Sequence, residues 1–325
     1  MSEERRGSGY RSGGARGALL GLILMLAPAA GAETVEIPGP AGPLRAEMIA
    51  VPGATDAVVI IPGSGPIDRD GNAPDVGIHS DSYARLAEGL AAAGVASLRI
   101  DKRGFFGSAG AIDDPEDVTI AAYAQDARDW VVRAAELAPR VWIAGHSEGG
   151  LVALVAAEDP PAPLAGLLLL STAGRPVGRV LIEQMGSIPA NAALMPDVEA
   201  TVAALESGRM RDPGAMAPPL RRMFTTSLQR YMIDLFAYDP VKIAAGWSGP
   251  VLIVQGDADM QVKPRDAELL ARALPGSERV PLPGGTHMLK RDVPGEPFVT
   301  YTDPTAPLHP ALIPAITDFL RNAAP

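Results

Sequence analysis

Cysteine is absent from the 325-residue chain. Disulfides, thiolate metal sites, a cysteine nucleophile and lipid attachment to an N-terminal cysteine are thereby excluded. Aromatic residues make up only 5% of a chain that is 47% hydrophobic, so Ala, Leu, Val and Ile must fill most of the core. Histidine occurs four times, which leaves imidazole chemistry few places to reside. Positive charge is in deficit, with 28 Lys and Arg against 38 Asp and Glu. Such an acidic chain lacks the electrostatic footprint of a nucleic-acid or anionic-membrane partner. No repeat of fixed period is present. Neither G-x-x-x-x-G-K-[ST] nor G-x-G-x-x-G occurs, so nothing points to a phosphate cradle or a dinucleotide cofactor.

Long apolar runs are lacking too. The longest near the start, residues 18–30 (ALLGLILMLAPAA), follows Arg5, Arg6, Arg11 and Arg16 and leads into Ala30-Gly31-Ala32. It is short for a hydrocarbon core of about 30 Å. A basic start, a short apolar stretch and a small-x-small site make residues 1–32 a predicted signal peptide cleaved after Ala32. Export to the periplasm or the outside follows, with no stable membrane anchor after cleavage. Arg5-Arg6 stands too far from the apolar run to favour twin-arginine export over general secretion. Loss of four Arg and two Glu would move the net charge from −10 to −12. Without disulfides an exported chain must rely on its core, and this length allows one.

Beyond the leader, residues 34–37 and 44–51 read as an antiparallel pair of strands around a Pro/Gly turn. Apolar runs at 57–61, 95–100, 140–144, 164–170, 251–255 and 278–282 read as strands. Helical spacing appears at 82–93, 118–137, 150–157, 264–274 and 310–321. This alternation predicts a mostly parallel sheet flanked by helices. Residues 175–247 break the rhythm with Met-rich helical stretches at 180–185, 198–205 and 220–236. They are predicted to be a helical cap inserted into a core of residues 33–174 and 248–325, placed where binding insertions usually lie.

Val141-Trp142-Ile143-Ala144 leads directly into Gly145-His146-Ser147-Glu148-Gly149-Gly150 and then Leu151-Val152-Ala153-Leu154. The G-x-S-x-G pattern alone is common in a Gly-rich chain. In the order strand, sharp turn, helix it describes a nucleophile elbow, with glycines that avoid a Cβ clash and a helix N-terminus near developing negative charge. Ser147 is the candidate nucleophile. A serine needs a base, and the base an acidic orienter. Of the four histidines, His287 hangs after the last predicted strand, while His79 and His309 read as surface or capping residues and His146 adjoins the nucleophile. Asp257 and Asp259 both follow the strand at 251–255. Either could be the acid, and Asp257 could instead cap a turn.

Together these pieces resemble the α/β-hydrolase superfamily, over about residues 33–322. Gly256-Asp257-Ala258-Asp259-Met260-Gln261-Val262 matches the family's G-x-x-D-x-x-V pattern, which places the acid at Asp259. His287 after Gly284-Gly285-Thr286 matches its histidine position. Asp101-Lys102-Arg103-Gly104-Phe105-Phe106-Gly107-Ser108 is similar to its D-x-R-G-x-G-x-S loop with one residue of difference, and Tyr238-Asp239-Pro240 is familiar from capped members. Gly63-Ser64-Gly65-Pro66-Ile67-Asp68-Arg69-Asp70-Gly71-Asn72 is similar to a subgroup of bacterial esterase-like hydrolases. Many relatives carry His-Gly where this chain has Pro62-Gly63. By position the resemblance implies backbone oxyanion donors at Ser64, with Gly65 as the alternative, and at Glu148.

The reading is a serine hydrolase that cleaves a small-molecule carboxylic ester through an acyl-enzyme and requires no cofactor. A peptidase or amidase of the same fold is the rival within this chemistry. A non-catalytic binding protein is the rival outside it, since a fold does not establish activity. Ser rather than Asp at position 147 speaks against a haloalkane- or epoxide-type hydrolase. The Asp68-Arg69-Asp70-Gly71-Asn72 loop has the wrong spacing for a calcium loop and is expected to make Asx turns. Asp101-Lys102-Arg103 could be a buried charge cluster supporting Ser147 or a solvated loop.

Overall fold

The computed structural model describes residues 31–323. The predicted leader lies outside the described residues except for Gly31 and Ala32. The strands are β1 (Ala32–Ile37), β2 (Leu44–Ile49), β3 (Asp56–Ile61), β4 (Asn72–Ala73), β5 (Ile78–His79), β6 (Ala96–Ile100), β7 (Arg140–His146), β8 (Leu164–Leu170), β9 (Val251–Gly256) and β10 (Glu278–Leu282). The helices are α1 (Ser82–Ala92), α2 (Ile120–Ala134), α3 (Glu148–Ala156), α4 (Val177–Gly186), α5 (Met195–Glu206), α6 (Thr226–Phe236), α7 (Pro240–Ala244), α8 (Pro264–Ala273), α9 (Val299–Thr302) and α10 (Leu312–Asn322).

Among the described residues, eight strands make one sheet in the order β1-β2-β6-β3-β7-β8-β9-β10, while β4 and β5 form a small separate hairpin. The β1–β2 and β2–β6 pairs are antiparallel, and every other pair in the large sheet is parallel. This is the α/β-hydrolase fold.

The apolar runs are continuous because both faces of the sheet are covered. Side chains alternate with a period of two, so each run is shared between two layers. Val58, Ile60, Trp142 and Leu168 pack with Leu86 of α1 and Ile316 of α10. Val59, Ile61, Ile143 and Leu167 pack with Trp130 of α2, Leu151 of α3 and Leu270 of α8 on the opposite face. Polar atoms that come along are paired: the indole N–H of Trp142 donates to Asp56 at 2.7 Å, and Arg140 also reaches Asp56 at 2.8 Å.

This layering selects the site. The chain leaves β3 toward α1 on one face and leaves the adjacent β7 into α3 on the other. Where neighbouring parallel strands depart to opposite faces, their carboxyl ends open a crevice. The loop Gly63-Ser64-Gly65 and the turn at Ser147 both lie there.

Between β8 and β9 the chain forms α4 to α7. The sequence reads one helix over 220–236; the structure divides it. Pro218 and Pro219 set a 3-10 turn at Pro218–Leu220, and α6 starts after Thr225, whose hydroxyl accepts from the Leu228 N–H at 3.2 Å. A threonine cap thus outweighed the unbroken apolar spacing. Thr119 trims α2 in the same way, accepting from the Ala122 N–H at 3.1 Å.

Candidate active site

Ser147 sits between β7 and α3 with φ 54° and ψ −118°. A non-glycine residue in this region is strained by about 1–3 kcal/mol and persists only where its surroundings impose it. Here the flanking glycines allow the imposition. A Cβ on Gly145 would collide with the carbonyl oxygen of Gly149. A Cβ on Gly149 would in turn strike Ile61 and Pro62, at the end of β3. The elbow therefore presses directly on the strand that supplies the Ser64 loop. As the first residue of α3, Glu148 has no carbonyl one turn earlier in the helix for its N–H to reach, leaving that donor at the crevice.

Asp259 follows β9 and is buried. Its Oδ1 accepts from the N–H groups of Gln261 at 2.8 Å and Val262 at 2.9 Å. Its Oδ2 lies 2.8 Å from His287 Nδ1 and accepts from the Gln255 amide at 3.2 Å. Burial by itself would raise the carboxyl pKa, but His287 and the two backbone donors outweigh it and hold the group below its ordinary value. An ionised Asp259 only accepts, so Nδ1 of His287 carries the donated proton, and in a neutral ring Nε2 then holds the lone pair. Asp257 does something else: its Oδ1 accepts from the Gly284 N–H at 2.6 Å and ties the loop after β9 to the one after β10.

His287 is held in a turn in which Thr286 N–H donates to the Lys290 carbonyl at 2.8 Å. Ser147 and His287 both border a cavity of about 110 Å³, together with Gly63, Ser64, Tyr83, His146 and Gln261. Asp259, His287, Ser147 and Ser64, scattered over the sequence, are thus gathered at one end of the sheet.

His146 was expected only to adjoin the nucleophile. Its ring packs against that of His287, with centroids 4.6 Å apart, and its Nε2–H donates to the His287 carbonyl at 2.8 Å. The Tyr83 hydroxyl donates to His146 Nδ1 at 2.7 Å and accepts from the Gly63 N–H at 3.1 Å. Burial is the largest cause pushing the His146 pKa down to about 3, so this ring remains neutral at ordinary pH. Tyr83 was legible only as a core position of α1, and nothing in its spacing signalled the hydroxyl's partners. Of the remaining histidines, His79 is exposed in the hairpin. His309 accepts from the Ala311 N–H at 3.3 Å and donates to the Pro283 carbonyl at 3.0 Å.

The Asp68 loop makes Asx turns, with Oδ1 accepting from Asp70 and Asn72 N–H at 2.9 and 2.8 Å. Of the two readings of Asp101-Lys102-Arg103, the buried one holds for Asp101 and Lys102.

Beside the crevice opens a pocket of about 670 Å³. Ser64, Ser147 and Glu148 line it together with Leu151 from α3, and Val180, Leu181, Leu228, Met232 and Phe236 come from α4 and α6. Its two carboxylates are both paired, Asp114 with Arg230 at 3.0 Å and Glu148 with Lys102 at 3.1 Å.

The chain as a whole has relatives among known proteins. Esterase EstD of Thermotoga maritima is 29% identical over 231 residues, covering 70% of this chain and 52% of that protein. The chain thus aligns with about half the length of that relative. Among solved structures, a thermophilic esterase from Thermogutta terrifontis superposes with TM-score 0.55 at 20% identity, covering 90% of this chain and 99% of that one. The α/β hydrolase GrgF from Penicillium gives TM-score 0.58 at 17% identity, with coverages of 90% and 99%. At such identities these two likenesses speak for the fold. Residues 75–294 match the Hydrolase_4 family, described as serine aminopeptidase, S33; the chain belongs to that family of hydrolases.

Proposed function

We propose that this chain hydrolyses carboxylic esters through an acyl-enzyme on Ser147. The observation that carries the proposal is the 2.8 Å bond from His287 Nδ1 to Asp259, in an imidazole that shares a cavity with a serine on a strained elbow. Nε2 of His287 takes the Ser147 proton as Oγ attacks the carbonyl carbon. Asp259 stabilises the imidazolium that forms, and the oxyanion rests on the N–H groups of Ser64 and Glu148. His287 then protonates the departing alcohol, water attacks the acyl-enzyme, and the same groups repeat the steps in reverse. No cofactor takes part in these steps. The acyl group occupies the 670 Å³ pocket, whose walls from α4 and α6 are largely apolar. The esterase identity of the Thermotoga relative supports this choice of substrate.

The family's description favours a second reading, cleavage of an amide with a free amino terminus. The same base could protonate a leaving amine. The two carboxylates at the pocket already face Lys102 and Arg230, however. Glu148 Oε2 accepts no hydrogen bond, so an α-ammonium would have to share Glu148 with Lys102.

The test is labelling with a fluorophosphonate followed by turnover of p-nitrophenyl esters, from acetate to laurate, and matched anilides. Modification should map to Ser147, and esters should outpace anilides at every chain length. Labelling that survives Ser147→Ala removes the nucleophile, and faster anilide cleavage establishes the amidase reading instead.

A substitution separates the orienter's role from mere packing. In Asp259→Asn, the N–H groups of Gln261 and Val262 would hold the amide oxygen, so that the NH₂ faces His287 Nδ1. That stabilises the wrong imidazole tautomer. Steady-state kinetics should show kcat lower by about 10⁴-fold with little change in fold.

A further inference from the structure

Lys102 follows β6 and is 2% exposed, a costly place for an ammonium group. Two hydrogen bonds receive it. Nζ donates to the Gly63 carbonyl at 2.6 Å and to Glu148 Oε1 at 3.1 Å. The Tyr123 ring lies beneath, its centroid 5.2 Å away. On its far side the Glu148 carboxylate faces Tyr231, whose hydroxyl pKa is raised first by burial and then by that negative charge.

Glu148 is one of the two residues assigned above to the oxyanion, and Gly63 immediately precedes the other. The Gly63 carbonyl and the Ser64 N–H are the two ends of one peptide group. A cation on the oxygen draws electron density along the amide and makes the N–H a stronger donor; hydrogen bonds in such a chain strengthen one another by roughly 10–30% each. Glu148 carries the other donor on its own backbone. One ammonium therefore bridges the β3 loop to the start of α3, and sets the spacing between two N–H groups 84 residues apart in sequence.

We propose that Lys102 is a positioning residue of the oxyanion hole, polarising the Gly63–Ser64 peptide and fixing its distance from the Glu148 N–H. The proposal rests on the serine-hydrolase reading. Lys102 borders the acyl pocket, but its ammonium is turned to the Gly63 carbonyl and to Glu148. It acts on the alkoxide only through the peptide that binds it, so its effect belongs to the transition state and not to substrate affinity.

The experiment compares Lys102→Met with Lys102→Met/Glu148→Gln in the full-length chain. The double variant removes both charges, so that no carboxylate is left buried and alone. Complete loss of one oxyanion donor lowers kcat by about 10²–10³-fold; a weakened donor should lose about 10- to 100-fold, with KM within about twofold. A trifluoromethyl ketone, which forms an alkoxide on the serine, should lose affinity by the same factor as kcat. The matching alcohol, which forms none, should bind unchanged.

Unchanged kcat in a folded double variant would overturn the proposal. So would parallel losses in kcat and in binding of the alcohol, which describe a merely structural lysine. Fluorophosphonate labelling of the unaltered enzyme keeps the two levels apart. If Ser147 is not labelled, the serine-hydrolase reading itself falls; if it is labelled and Lys102→Met/Glu148→Gln turns over normally, only the lysine's role does.

Discussion

Ser147→Ala should lower kcat by about 10⁶-fold, the size of loss seen when a serine nucleophile is removed from a catalytic unit. The substitution deletes one oxygen and little else. Alanine keeps the Cβ, and the positive φ of 54° at this position is imposed by Gly145, Gly149 and the end of β3, none of which depends on Oγ. Thermal denaturation should therefore change little while turnover disappears. His287→Ala should approach the same floor. The Ser147→Ala/His287→Ala double variant should be hardly slower than either single one, because a base without a nucleophile has nothing to deprotonate. Additive losses would mean that the two side chains act separately. A fall of less than tenfold in Ser147→Ala would remove this residue from the chemistry altogether.

The second large effect is on stability. Gly149→Ala should destabilise the fold by about 4 kcal/mol or more, a size reached only by a few mechanisms, among them backbone overpacking. The new Cβ would stand 2.7 Å from the Pro62 carbonyl oxygen and closer still to that of Ile61. Side chains could swing aside; these are backbone atoms. Ile61 is moreover in register with Gly145 in the β3–β7 ladder, so retreat from the methyl would break strand pairing. Chemical denaturation measures the loss. Gly276→Ala is the control: a Cβ there meets nothing within 4 Å, and the change should stay within about 0.5 kcal/mol. If Gly149→Ala proves as mild as the control, α3 does not press on β3 as described.

Much of this arrangement was legible because it is local. A buried strand that runs into G-x-S-x-G and then into a helix states its own geometry; α3 starts at Glu148, next to Ser147 and two residues before the helical spacing suggested. The ladder of apolar runs gave the sheet because a two-residue period in strands covered on both faces leaves no polar alternation. Asp259 was separable from Asp257 only through family resemblance. The structure supplies a physical ground: backbone donors at 261 and 262 turn the Asp259 carboxylate toward His287, whereas Asp257 is spent on Gly284.

What stayed hidden depends on strand order. Lys102 meets Gly63 because β6 lies beside β3, and it meets Glu148 because β3 lies beside β7. No periodicity states which strands are neighbours, so the motif at 101–103 could not be distinguished from a solvated loop. The pocket was hidden for another reason. The apolar face of α6 covers an empty volume beside Ser147, and an amphipathic helix looks the same in sequence whether its face meets side chains or a void. A long helical reading of 220–236 was likewise blind to Thr225, because spacing registers where apolar residues recur and not where a hydroxyl stops the turn.

The run from the Gly63 amide through Tyr83 and His146 to the His287 carbonyl has a consequence for how this molecule can change over time. It behaves as a truss that ties the loop after β3, α1, the Ser147 turn and the His287 turn together through residues 63, 83, 146 and 287. None of its members lies between β8 and β9, the segment that lines much of the 670 Å³ pocket. Changes in α4 and α6 can accordingly reshape what the pocket admits without touching this run.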